Sequence, residues 1–151
     1  GGHDMMKAAK DAAIGAAAKA GVPTPLVIAI TVLTSFTPDT LTSIGVSRQV
    51  LEQVDALSWL AQTAGLDGAV ASPQEVRHLR KERSEGFVLV TPGIRAVEPG
   101  EAGRPRDDQA RTMSAPEAIA AGSSFIVVGR PIIAAPDPRA AAESLLRSLG
   151  R

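Results

Sequence analysis

Short apolar runs alternate with amphipathic stretches along the whole chain. Residues 4–20 are Ala-rich, with Lys and Asp spaced along one side, and predict a helix that ends at Gly21 before Pro23 and Pro25. Residues 26–33 form a β-branched run that predicts a buried strand, and 38–43 predict a short helical turn. A helix follows over 48–64, capped by Ser47 and closed by Gly65, with Val50, Leu51, Val54, Leu57, Leu60 and Ala61 at helical spacing. A strand over 68–71 leads into Ser72-Pro73-Gln74-Glu75, which opens a helix running to about Lys81. Next come a strand over 87–91, a long polar loop over 96–113, and a helix from Ser114-Ala115-Pro116-Glu117 to Ala121. A strand over 124–128 and a helix over 138–149 complete the order. Strands that alternate with helices in this way predict a parallel sheet covered by helices, either open or part of an eight-stranded barrel.

Composition narrows the function classes. The 151 residues suit one domain. The core must be built from Ala, Val, Leu and Ile, because there are three Phe, one Trp and no Tyr. Sixteen basic and 16 acidic side chains cancel, which argues against nucleic acid as a bulk partner. No run approaches the ~20 apolar residues of a membrane span. The absence of cysteine excludes a disulfide framework and a thiolate zinc site, and fits a cytoplasmic setting. The chain begins at Gly1 and places Met5 and Met6 inside the first helix, so the expected start lies upstream.

In parallel α/β folds, ligands bind beyond the C-terminal ends of strands. The residues there are Thr34 and Ser35, then Ser72, then Pro92, Gly93 and Arg95, then Gly129 and Arg130. Glycines that admit a close backbone approach, together with two arginines, can form an oxyanion site. Read singly, Arg95 and Arg130 are equally compatible with surface cations, and Thr34 and Ser35 with loop caps. His3 and His78 read as solvent-facing without a metal-ligand partner, and the 80–85 run as a solvated helix end. Trp59 reads as packing on a helix face, and Lys7, Lys10, Lys19 and Lys81 as solvated surface.

Six segments taken in order resemble the bacterial orotidine 5'-phosphate decarboxylase family: Thr31-Val32-Leu33-Thr34-Ser35, Gly65-Leu66-Asp67-Gly68-Ala69-Val70, Val90-Thr91-Pro92-Gly93-Ile94-Arg95, Asp107-Asp108-Gln109-Ala110-Arg111-Thr112-Met113, Pro116-Glu117-Ala118 and Val128-Gly129-Arg130-Pro131. Glu101-Ala102-Gly103 also matches, and Gly1-Gly2 and Met5-Met6 look like the segment after the family's fourth strand. The resemblance implies an α/β fold: the C-terminal part, about four βα units, of a TIM (β/α)8 barrel. Residues 1–151 would form a single incomplete domain lacking the N-terminal half, roughly 90 residues by comparison with barrel sizes.

The family converts orotidine 5'-monophosphate (OMP) to UMP and CO₂ without cofactor or metal, as a homodimer with active sites near the subunit boundary. By position, the resemblance places Thr34 beside the pyrimidine or at that boundary. Arg95 becomes a substrate-contacting arginine, and Gln109 reaches from the long loop to phosphate and base. Gly129, by its backbone, and Arg130, by its side chain, grip the phosphate. Arg104-Pro105-Arg106 lengthens the loop before Gln109, so Arg106 or Arg111 could share the phosphate role. The family's Asp-x-Lys-x-x-Asp motif, whose Lys protonates the carbon that loses CO₂, does not occur in this sequence, so no catalytic residue is assigned. Two alternatives stand beside this reading: a related sugar-phosphate decarboxylase or aldolase barrel, and a non-catalytic phosphate-binding half barrel.

Overall fold

The computed structural model describes residues 1–95 and 113–150. Its elements in chain order are α1 (His3–Ala20), β1 (Ile28–Ile30), α2 (Pro38–Ser43), α3 (Val50–Thr63), β2 (Gly68–Val70), α4 (Pro73–Glu82), β3 (Val88–Thr91), β4 (Ile94–Arg95), β5 (Met113–Ser114), α5 (Ala115–Ala121), β6 (Phe125–Ile126), α6 (Arg130–Ile133) and α7 (Pro138–Ser148). The predicted strand–helix rhythm is present. Four strands form one parallel sheet in the order β1-β2-β3-β6, and β4 and β5 form a separate parallel pair.

Local chemistry explains most of the boundaries. Helix α1 ends at Gly21 with φ 66°, a left-handed value that favours glycine. Helix α3 starts two residues later than the Ser47 cap predicts. Glu52 accepts a hydrogen bond from the Gln49 N–H at 3.2 Å, whereas three residues beyond Ser47 stands Val50, which has no acceptor. Ser114 and Glu117 cap α5 as predicted: the Ser114 N–H donates to Glu117 Oε2 at 3.1 Å, and the Glu117 N–H donates to Ser114 Oγ at 3.4 Å. The Ser114 hydroxyl also donates to Glu117 Oε2 at 2.5 Å, and this bond, together with the one from the Ser114 N–H, holds the Glu117 carboxyl below its ordinary pKa.

The strands are shorter than the apolar runs. β1 spans three residues, and beyond it the Thr31 hydroxyl donates to the Val70 carbonyl at 2.6 Å, continuing the β1–β2 contact through a side chain. β2 and β3 approach so closely that a Cβ at Gly68 would lie 2.1 Å from the Val88 carbonyl oxygen. Glycine is required there by space alone.

Helices cover one face of the sheet. Helix α3 packs on β1 and β2, α4 on β3, and α5 on β6. Ala69 and Leu89 face these helices and are fully buried with Val54, Ala61, Val76 and Leu79. A second cluster joins Ile94, Ala115 and Ala118 to Met113, Ile126, Val128, Leu145 and Leu149. On the other face, Ile30, Val70, Val90 and Phe125 stand side by side in register across the four strands. Ile30 is 63% exposed and Phe125 is 56% exposed. In a closed barrel such a row fills the interior.

Three of the charged residues assigned to solvated surface, Lys10, Arg80 and Arg83, are structural. Lys10 reaches Asp67, with Nζ 2.6 Å from each carboxylate oxygen, and Asp67 also accepts the Val27 N–H at 2.6 Å. Helical spacing marks Lys10 as polar but cannot show that α1 brings it over the base of β2. The 80–85 run is likewise engaged. Arg80 donates to the carbonyls of Phe87 and Gly122, at 2.8 Å and 2.9 Å, and to Ser124 Oγ at 3.1 Å. Arg83 is buried, donates to Ser58 Oγ at 3.0 Å, pairs with Asp55, and lies 5.4 Å from the centre of the Trp59 ring. His78 is half-exposed and sits 3.2 Å from the same Asp55. These contacts join α4 to α3 and to the strand starts, and only tertiary packing reveals them.

Burial pushes the Asp67 carboxyl up, but the Lys10 hydrogen bond, the Val27 N–H and the Lys10 charge outweigh it and hold the group below its ordinary value of 3.8. Its stabilisation is therefore complete above that value and is lost as pH falls through the lower folded-state pKa. We predict that Asp67→Asn, which strands the Lys10 ammonium, costs about 1–3 kcal/mol at neutral pH. The gap from wild type should stay constant above about pH 5 and narrow as the pH falls below 3.8 toward the lower folded-state pKa, as read by thermal unfolding. A second prediction concerns the open face: the isolated chain should elute in size-exclusion chromatography as an associated species. Lysine at both Ile30 and Phe125 should shift it toward monomer by breaking the apolar row.

Candidate functional site

At the C-terminal end of the sheet, β3 and β6 run side by side with Thr91 in register with Ile126. Each strand then leaves the sheet. After Thr91, Pro92 removes a donor N–H, and Gly93 turns the chain with φ 77°, a value that strongly favours glycine. Ile94 and Arg95 next pair with Met113 and Ser114, so the segment carrying Arg95 is held by its own short ladder. The sequence reading missed this pair, because two-residue strands have no periodicity to detect.

After Ile126, the Val127 N–H donates to the Thr91 carbonyl at 2.9 Å, and the chain then reaches Gly129. Gly129 caps α6 with φ −104° and ψ −98°, outside both the helix and strand regions. Its carbonyl accepts from the Ile132 and Ile133 N–H groups at 2.9 and 3.1 Å, and its own N–H is engaged by no described residue. A Cβ at Gly129 would meet nothing within 4 Å, so the packing does not call for glycine. A bare backbone there instead leaves the amide open to a ligand.

Between these two segments lies a cavity of about 280 Å³ lined by Pro92, Gly93, Ile94, Arg95, Val127, Gly129, Arg130, Pro131 and Ile133. Three of the sequence-predicted site residues, Arg95, Gly129 and Arg130, therefore meet in one pocket. Arg95 is half-buried and Arg130 exposed. The sequence reading did not single out the apolar walls, Ile94, Val127 and Ile133. Arg95 also lines a second cavity of about 240 Å³ toward α5, α6 and α7, and so stands in the wall between the two.

Thr34 does not line the pocket. It follows β1, two strands away from β3 in the sheet, and is half-buried. Gln109, Arg106 and Arg111 lie outside the described residues. Ser72, at the end of β2, is buried and donates its hydroxyl to the buried Glu75 carboxylate. Among the described residues, no group of three or more His, Asp or Glu side chains could hold a metal ion, and no helix is long and apolar enough to cross a membrane. Chemically, the pocket gathers two arginines, a glycine amide and apolar walls, residue types suited to an oxyanion attached to a larger organic group.

Known proteins match this chain in sequence and in fold. Residues 1–145 match the model of the orotidine 5'-phosphate decarboxylase / HUMPS family. An orotidine 5'-phosphate decarboxylase of Moorella thermoacetica is 47% identical over 146 residues, covering 96% of this chain and 56% of its own length. One from Neisseria meningitidis serogroup C is 46% identical over 151 residues, again with 56% of the relative covered. The crystal structure of orotidine 5'-phosphate decarboxylase from Lactobacillus acidophilus superimposes with a TM-score of 0.77 at 35% identity, covering 99% of this chain and 60% of that one. An uncharacterized conserved protein from Geobacillus kaustophilus superimposes with a TM-score of 0.75 at 31% identity. The chain thus spans somewhat over half the length of the curated relatives it matches, and its parallel sheet is part of a (β/α) barrel. On sequence and fold together, the chain belongs to the orotidine 5'-phosphate decarboxylase / HUMPS family.

Proposed function

We propose that this chain supplies the phosphate- and nucleotide-binding half of a barrel that decarboxylates OMP to UMP in pyrimidine biosynthesis. The observation that carries the reading is the convergence of Arg95, Gly129 and Arg130 on one pocket at the strand ends, in a chain of this family. Arg95 and Arg130 would donate charge-assisted hydrogen bonds to the phosphate, and the Gly129 amide would add a third donor. Thr34, across the sheet, would lie toward the pyrimidine or the subunit boundary, and Gln109 would approach phosphate and base. Binding energy gathered at a phosphate remote from the reacting carbon can serve to hold the pyrimidine in place for reaction.

The reacting half is not encoded here. With no Asp-x-Lys-x-x-Asp in the 151 residues, protonation of the carbon that loses CO₂ has to come from groups outside them. In this reading residues 1–151 are a single incomplete domain. The remaining strands would pair with β1 and β6 and cover the row from Ile30 to Phe125. The complete protein would be a cytoplasmic homodimer that uses no cofactor. A second reading, a sugar-phosphate lyase of the same family, is favoured by the family's breadth, and the third, a non-catalytic phosphate-binding half barrel, by the absent Lys/Asp motif.

Two measurements test the proposal. In the full-length protein, Arg130→Ala should weaken UMP binding about 10- to 100-fold, the cost of a charged hydrogen bond, with the fold intact by circular dichroism. Unchanged affinity would remove Arg130 from the site, and preference for a pentulose phosphate over UMP would favour the sugar-phosphate reading. The 151-residue chain alone should release no CO₂ from OMP, and turnover by it would overturn the division of labour proposed here.

A further inference from the structure

One buried polar contact near the pocket joins two side chains that do not line it. Thr91 is 0% exposed, and its hydroxyl lies 2.6 Å from the hydroxyl of Ser123, itself buried. Strand alternation puts Thr91 on the same face as Leu89, among the packed apolar side chains of the helix layer. Valine has nearly the shape of threonine and would fill such a position without any polar atom. A hydroxyl pair buried there does something an apolar pair does not: its directional bond ties one strand to another at a single register.

The strands it ties are the two that build the pocket. Thr91 ends β3 and Ser123 precedes β6. The main chain repeats the tie on either side: the Ser124 N–H donates to the Leu89 carbonyl at 2.9 Å, and the Val127 N–H to the Thr91 carbonyl at 2.9 Å. Thr91 and Ile126 are register partners, and Arg95 and Arg130 each lie four residues beyond their own member of that pair. The relative height of the two arginines over the sheet therefore depends on the offset between β3 and β6.

We propose that Thr91 is a positioning residue. Bonded to Ser123, it sets the offset of β3 against β6 and so holds Arg95 and Arg130 at the spacing that one phosphate requires. The proposal rests on reading the pocket as a phosphate site. It assigns Thr91 no contact with the ligand.

The test uses the full-length protein and compares a ligand that carries the phosphate with one that does not. For Thr91→Val, KM for OMP and Kd for UMP should rise about tenfold, the size of one net hydrogen bond, with kcat changed less than KM. Turnover of orotidine, the nucleoside without the phosphate, should stay within about twofold of wild type, because no phosphate has to be matched. Thr91→Ser, which keeps the hydroxyl, should restore UMP affinity. Should Thr91→Val fail to fold, Ser123→Ala removes the other half of the pair with a smaller change in volume and must give the same split. Unchanged UMP affinity in the folded variant overturns the proposal. So does a parallel loss on OMP and orotidine, which would mark general damage. If the wild-type protein itself does not bind UMP, the phosphate-site reading fails first, and the two failures are told apart.

Discussion

Every strand of the main sheet runs in the same direction, and this constraint orders the rest of the molecule. Parallel strands need a crossover between neighbours, which puts α3, α4 and α5 on one face. It also brings all the strand ends to one rim. Residues far apart in sequence, such as Arg95 and Arg130, become neighbours because each follows a strand and the two strands are adjacent. The pocket needs no dedicated scaffold, since two adjacent strand ends with a glycine in each exit provide it.

The opposite rim carries the staples. Asp67 is held at the start of β2 by Lys10 and the Val27 amide, while Arg80 binds the carbonyl before β3 and the segment before β6. These charged groups satisfy polar main-chain atoms at the base of the sheet. The charged staples and the pocket are thus separated along the strand axis. The Thr91–Ser123 pair lies between the two ends, inside the apolar layer.

The two faces of the sheet differ as sharply as its two ends. Leu89 and Ala69 are sealed by helices, while Ile30 and Phe125 are left more than half exposed. A sheet with one dry face and one open apolar face is half of a barrel's core. That agrees with a chain that matches somewhat over half the length of its relatives.

Much of this was legible in the residues. Alternating strand and helix patterns determine a parallel α/β fold, because each period fits only one kind of element. Capping pairs such as Ser114 with Glu117 mark a helix start through contacts three residues apart. Gly93 and Gly129 point to strand exits for a similar local reason. What sequence could not decide was anything that depends on distant partners. Lys10 finds Asp67, Arg83 finds Asp55, Arg95 gains the Met113–Ser114 ladder, and Thr91 finds Ser123. Thr34 ends up outside the pocket that gathers Arg95 and Arg130. Local pattern reports the conformation of a few neighbouring residues. Which side chains meet is set by strand order and register, and these exist only once the chain has packed.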